Sequence, residues 1–201
     1  MSAARDLSAV APYAPEQSAD HRRTMLGLKI FLVSLGVFFG ALLVLYAMLR
    51  WSLPEWPPAG QPAFPILLPT LNTGVVWISS AVIHAALGAL RTAKPRRFGQ
   101  LMLVTANLGA VFLALQVLLF RQAVGMGLQV GSNVYSAVFF TLAGVHAVHV
   151  LVGVTALAAL ALMAFRAPTG RNRLIRARMW ATYWHFMGAV WTIMYVALFL
   201  V

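Results

Sequence analysis

Five long apolar runs alternate with short segments rich in proline, glycine and arginine, and this alternation organises the whole chain. The runs fall at roughly 26–49, 66–90, 100–120, 133–165 and 177–201. About 20 apolar residues wound as a helix cross the ~30 Å hydrocarbon layer of a bilayer, so each run predicts a membrane-spanning helix. The fourth is longer than the bilayer requires and is expected to tilt or to project from it. The separators are "LPEWPPAGQPAFP" (Leu53–Pro65), "RTAKPRRFG" (Arg91–Gly99), "RQAVGMGLQVGS" (Arg121–Ser132) and "RAPTGRNRLIR" (Arg166–Arg176), all carrying breaker residues. A polar leader precedes the first run, which is also far longer than the ~7–15 apolar residues of a secretory signal, so it reads as a permanent span. The expected fold is all-α: a polytopic bundle of five transmembrane helices over residues 25–201, preceded by a flexible leader over residues 1–24.

Composition supports the membrane reading. The chain is 61% hydrophobic and only 9% charged, whereas soluble domains carry about 25% charged residues. Its net charge of +11 could suggest a nucleic-acid partner, but the positions of the basic residues give them another role. Thirteen of the fifteen lie in the leader, at the start of the first span, in the second and fourth separators, or at the start of the last span; only Arg50 and Arg121 lie on the other side. By the positive-inside rule the N-terminus is cytoplasmic and the C-terminus outside, and the arginines face lipid headgroups rather than nucleic acid. There is no cysteine, which excludes disulfides, thiolate metal sites and thiol catalysis.

The polar residues within the spans limit the chemistry further. The four acids, Asp6, Glu16, Asp20 and Glu55, all fall outside the apolar runs. Carboxylate-bridged di-iron sites, proton-coupled carriers and paired-carboxylate hydrolases all need acids inside, so none is expected. Four histidines remain: His84, His146, His149 and His185. His146 and His149 share one helical face. They admit three readings: metal ligation, haem ligation together with His84, or buried neutral imidazoles hydrogen-bonded to another helix or a lipid headgroup. A metal would need a third ligand and, usually, an acid behind the imidazoles. Gly144 and Gly153 on the same helix offer small surfaces for a close neighbour.

In the second span Thr73, Trp77, Ser80 and His84 line one face, with Asn72 and Ser79 at its edge, a pattern expected of helix–helix contacts. Asn107 and Gln116 in the third span read as separate interhelical contacts. In the last span Trp184, Gly188, Trp191 and Tyr195 form a stripe that suits packing, an interfacial belt, or a groove for an acyl chain or partner helix. No phosphate loop, nucleophile elbow, zinc-protease or dinucleotide motif is present.

The stretches "LPTLNTGVVWISSAVIHAAL" (Leu68–Leu87), "LGAVFLALQ" (Leu108–Gln116), "SNVYSAVFFTLAGVHAVHVLVG" (Ser132–Gly153) and "YWHFMGAVW" (Tyr183–Trp191) occur in the order and spacing of subunit III of the haem–copper terminal oxidases, in its shorter, five-span bacterial form. The resemblance implies an accessory subunit of the bacterial inner membrane that binds no cofactor itself. Haem and copper would sit in partner subunits. It would pack beside oxidase subunit I, bind phospholipids in a cleft between helices, and support proton uptake and stability in turnover. It also implies that His84, His146, His149, Trp184, His185, Trp191 and Tyr195 are structural or lipid-contacting groups rather than catalytic ones. The chain departs from the family at three acids: Gly188 stands where the pattern W-H-F-x-D ends, Arg121 follows the third span, and the first span holds none. A proton-handling role for those carboxylates is not expected here. Rival readings are a haem-bearing cytochrome b-like electron carrier, a subunit III homologue associated with nitric-oxide reductase, and a small carrier, which internal inverted repeats would mark.

Overall fold

The computed structural model describes residues 15–56, 66–92, 94–129, 131, 133–166 and 171–200. Five long helices follow one another: α1 (Pro15–Ser52), α2 (Leu67–Arg91), α3 (Pro95–Gly125), α4 (Val134–Arg166) and α5 (Arg171–Tyr195), the last running into a short π-helix, Val196–Leu200. Each contains a segment long and apolar enough to cross a membrane. Helices α2, α3, α4 and α5 pack together, and α1 lies against α4 and α5. Large apolar side chains such as Ile30, Val37, Val104, Val148, Leu151 and Ile193 point outward on every helix, as expected where hydrocarbon is the solvent.

The helices outrun the apolar runs that predict them. Residues 15–24 of the leader already belong to α1, while residues 1–14 lie outside the described residues. Helix α3 begins at Pro95 and ends at Gly125, taking in charged flanks that read as separators. Hydropathy marks the width of the bilayer; the backbone hydrogen-bond ladder continues until a residue stops it. Pro95 sits in the first turn, where its missing N–H costs nothing. At the other end Gly127 adopts φ 92°, a left-handed conformation that glycine enters without a Cβ clash. Its N–H reaches the Val124 carbonyl, and the Leu128 N–H reaches that of Ala123 at 3.1 Å. This double bond pattern ends many helices, and Leu128, fully buried beside Ala123, adds the accompanying apolar contact.

Side chains close the ends of α4. The Asn133 Oδ1 accepts the Ser136 N–H at 2.8 Å, as an N-cap does. The buried Arg173 donates to the Met163 carbonyl at 3.0 Å, satisfying one of the last carbonyls of α4 from the first turn of α5.

Glycines set how closely α3, α4 and α5 approach. A Cβ on Gly109 would lie 2.5 Å from both Trp184 and Val154, and one on Gly153 would lie 3.0 Å from Trp184. Gly144 has nothing within 4 Å of such a Cβ, so of the two glycines on α4 only Gly153 serves as a packing seat. Overpacking a tight core costs about 1–3 kcal/mol. Gly109→Ala should therefore lower the thermal midpoint of the subunit in detergent, whereas Gly74→Ala, with open space around it, should leave it unchanged or raise it. Equal behaviour of the two variants would contradict this packing.

Candidate functional site

The interior of the bundle is built around the aromatic residues of α5. Trp184 is buried, and its ring lies between Gly109 of α3 and Gly153 of α4. Its Nε1 donates to Ser79 Oγ of α2 at 3.0 Å, and that hydroxyl donates to the Val76 carbonyl at 2.7 Å. Two turns along, the buried Trp191 donates to Thr73 Oγ1 at 3.1 Å. Tyr183 donates across to the His149 carbonyl of α4 at 2.8 Å. One helix thus meets α3 through ring surface and α2 and α4 through hydrogen bonds as well, which suits a medium that cannot satisfy polar groups itself. The last-span stripe is therefore not an open groove, since Trp184 and Trp191 fill the core. The sequence stretch "YWHF" contained Tyr183, but nothing in it marked that tyrosine as a link to α4.

The paired histidines have different surroundings. His146 is 1% exposed, and its ring is walled by Phe39, Phe112 and Trp191, with centroids at 6.1, 5.8 and 5.5 Å. Neither of its nitrogens has a hydrogen-bond partner among the described residues. His149 is half-buried, and its Nδ1 lies 2.8 Å from the Val145 carbonyl of its own helix. A hydrogen-bond partner from the chain is thus found for His149 and not for His146, because the face of α4 bearing His146 turns into an aromatic cage. Among the described residues no group of three or more His, Cys, Asp or Glu side chains could hold a metal ion.

The polar face of α2 lies along its seam with α5. Thr70 Oγ1 and Tyr195 Oη are 2.7 Å apart, and Trp77 Nε1 donates to Thr192 Oγ1 at 3.3 Å. A Cβ on Gly188 would lie 3.6 Å from Ser80 Oγ. His84 and His185 follow one turn further along their helices. His84 is exposed and His185 half-buried. Trp77 is 63% exposed despite its bond. Asn72 and Ser79, expected at the edge of this face, are instead fully buried inside the bundle. Gln116 meets Asn72 at 3.4 Å, but Asn107 is exposed and among the described residues bonds the Leu103 carbonyl of its own helix at 2.9 Å. The expected interhelical contact is therefore made by Gln116 and not by Asn107, whose face of α3 turns outward.

A separate groove opens between the C-terminal ends of α1 and α5. Leu43, Tyr46, Ala47, Ile193 and Val196 wall about 450 Å³, and Arg50 and Trp51 stand at its rim. Tyr46 ties the two helices by donating to the Ala197 carbonyl at 2.9 Å, and Arg50 reaches the Tyr46 hydroxyl at 3.5 Å.

Comparison with known proteins agrees with this architecture. A family model described as cytochrome c oxidase subunit III matches residues 3–201. A protein of Thermostichus vulcanus named cytochrome c oxidase subunit 3 is 33% identical over 88% of this chain and 86% of its own length. A Synechocystis protein of the same name is 30% identical over 94% of this chain and 82% of its own length. A longer Dugong dugon protein of that name, also 30% identical, is matched over 67% of its length. These matches do not favour the haem-bearing carrier or the nitric-oxide-reductase-associated reading.

The Trp184 seat predicts a graded response. Trp184→Phe loses the bond to Ser79, at about 0.6 kcal/mol for an average intramembrane hydrogen bond, and the outer edge of the indole that faces Gly109 and Gly153, but still half-fills the seat. Trp184→Ala empties the space between Gly109 and Gly153 and should cost about 3–5 kcal/mol. Thermal unfolding in detergent should separate the two, and equal losses would show that the ring is not what holds the seat.

Proposed function

The chain belongs to the cytochrome c oxidase subunit III family, multi-pass accessory subunits of haem–copper oxidases, and from this premise we propose that it docks on the catalytic subunit I through the α2–α5 seam. The observation that carries the proposal is the hydrogen-bonding surface exposed on that seam within the membrane, above all the imidazole of His84. Hydrocarbon offers such groups no partner, and polar side chains inside a membrane usually face protein or a water-filled cavity. A partner helix bearing donors and acceptors satisfies them. Haem and copper belong to the partner subunits, and this chain supports their turnover without taking part in electron transfer.

The groove between α1 and α5 is proposed as a phospholipid site. Its apolar walls suit an acyl chain, and Arg50 with Trp51 at the rim suits a headgroup. In this proposal the complex lies in the bacterial inner membrane, with the leader and the loops at 91–99 and 166–176 cytoplasmic. Glu55 and Gln129 are then outside, as the thirteen-to-two distribution of basic residues supports. A reporter fused at Pro95 should be active only in the cytoplasm, and activity outside would overturn the orientation.

Docking and support make separable predictions. In His84→Leu the altered side chain is exposed, so the subunit should fold with an unchanged melting profile yet copurify less with the haem-bearing subunit. Undiminished copurification would move the interface elsewhere. Deleting the subunit should leave haem per catalytic subunit unchanged while activity decays faster during turnover; haem lost in step with this chain would overturn the accessory role.

A further inference from the structure

His146 stands at a small interhelical cavity whose walls include Ser79, Gly109, Phe112, Trp184 and Gly188. The imidazole is 1% exposed and neither nitrogen finds a partner among the described residues. In its neutral form the ring carries one donor and one acceptor, and in its charged form two donors, so two groups are unmet in either state. Buried polar groups without partners are rare and call for an explanation, among them a bound water. We propose that this cavity binds one water molecule, hydrogen-bonded to His146 and to the Ser79 hydroxyl.

Size and chemistry both bear on the occupant. The space open to the centre of a water-sized sphere is about 10 Å³, and a single water needs roughly 10–15 Å³ by that measure. A second water, an acyl chain or a headgroup does not fit. A buried water also needs two to four polar partners. His146 supplies one. Ser79 Oγ uses its proton on the Val76 carbonyl and accepts one bond from Trp184, and a hydroxyl oxygen accepts two, so one acceptor position remains. The water then joins α4 to α2 at the height where Trp184 of α5 is seated, and it meets one of the two ring nitrogens of His146 inside the aromatic cage. Gly109 and Gly188 contribute no side chain to the cavity, which keeps it open.

The test uses the assembled complex with 15N-labelled histidine and water-edited magnetic-resonance transfer, the probe being water itself. His146→Gln identifies the His146 signal among those of the complex. Transfer from water to the His146 ring is expected although the ring is buried, and its absence would overturn the proposal without help from any variant. Val150 also lines the cavity, and Val150→Ile adds a methyl group there without touching a polar atom. If water is bound, this variant should lose the His146 transfer and melt at a lower temperature. If the cavity is dry, the added methyl fills a void, the melting temperature rises, and the proposal fails.

Discussion

The structure depends on one contact: the indole of Trp184 pressed between two glycines and hydrogen-bonded to Ser79. In water, burying a tryptophan would be favourable almost anywhere. In a bilayer the lipid is as apolar as the core, so helix association rests on close packing and on polar groups that have no alternative partner. Trp184 provides both at once. Its ring occupies the space left by Gly109 on α3 and Gly153 on α4, and its Nε1 engages α2. Trp191 repeats the bond to α2 through Thr73, and Tyr183 adds one to α4. Without α5 those hydroxyls and glycine surfaces would face one another across an empty seam.

Much of the fold was legible in the sequence because the bilayer imposes a length on every span. Five apolar runs gave five helices, and the fourth run opened at Asn133, next to the start of α4. The helix ends were less legible: α1 starts at Pro15 and α3 runs to Gly125, since hydropathy falls off at the headgroups while the backbone ladder does not. Sequence spacing placed His146 and His149 on one face, but not the rotation of that face. A modest turn of α4 leaves His149 half-buried against its own helix and encloses His146 among Phe39, Phe112 and Trp191, residues from three other helices. Likewise Gly144 and Gly153 look alike along the chain, and only the position of Trp184 distinguishes them. The stripe on α5 read equally well as core or as groove, and the residues that settle it, Gly109 and Ser79, lie on other helices.

The two remaining surfaces suit different neighbours. Along the α2–α5 seam hydrogen-bonding side chains remain exposed within the membrane, which suits a protein neighbour. The α1–α5 groove is apolar with a cation at its rim, which suits a lipid. The family acids absent from this chain, at Gly188 and in the first span, leave these contacts intact, because neither the seam nor the groove uses a carboxylate from α1 or α5. An accessory subunit of this kind acts through what it covers and steadies.

The absence of cysteine makes the central claim directly measurable. A single cysteine placed at Ala81, on the same exposed face as Trp77 and His84, can carry a nitroxide whose collisions with dissolved oxygen report lipid exposure, with Val148 on the outer face of α4 as reference. The account predicts that the Ala81 label is oxygen-accessible in the isolated subunit and shielded in the assembled oxidase, while the Val148 label stays accessible in both. An Ala81 label equally accessible before and after assembly would contradict it.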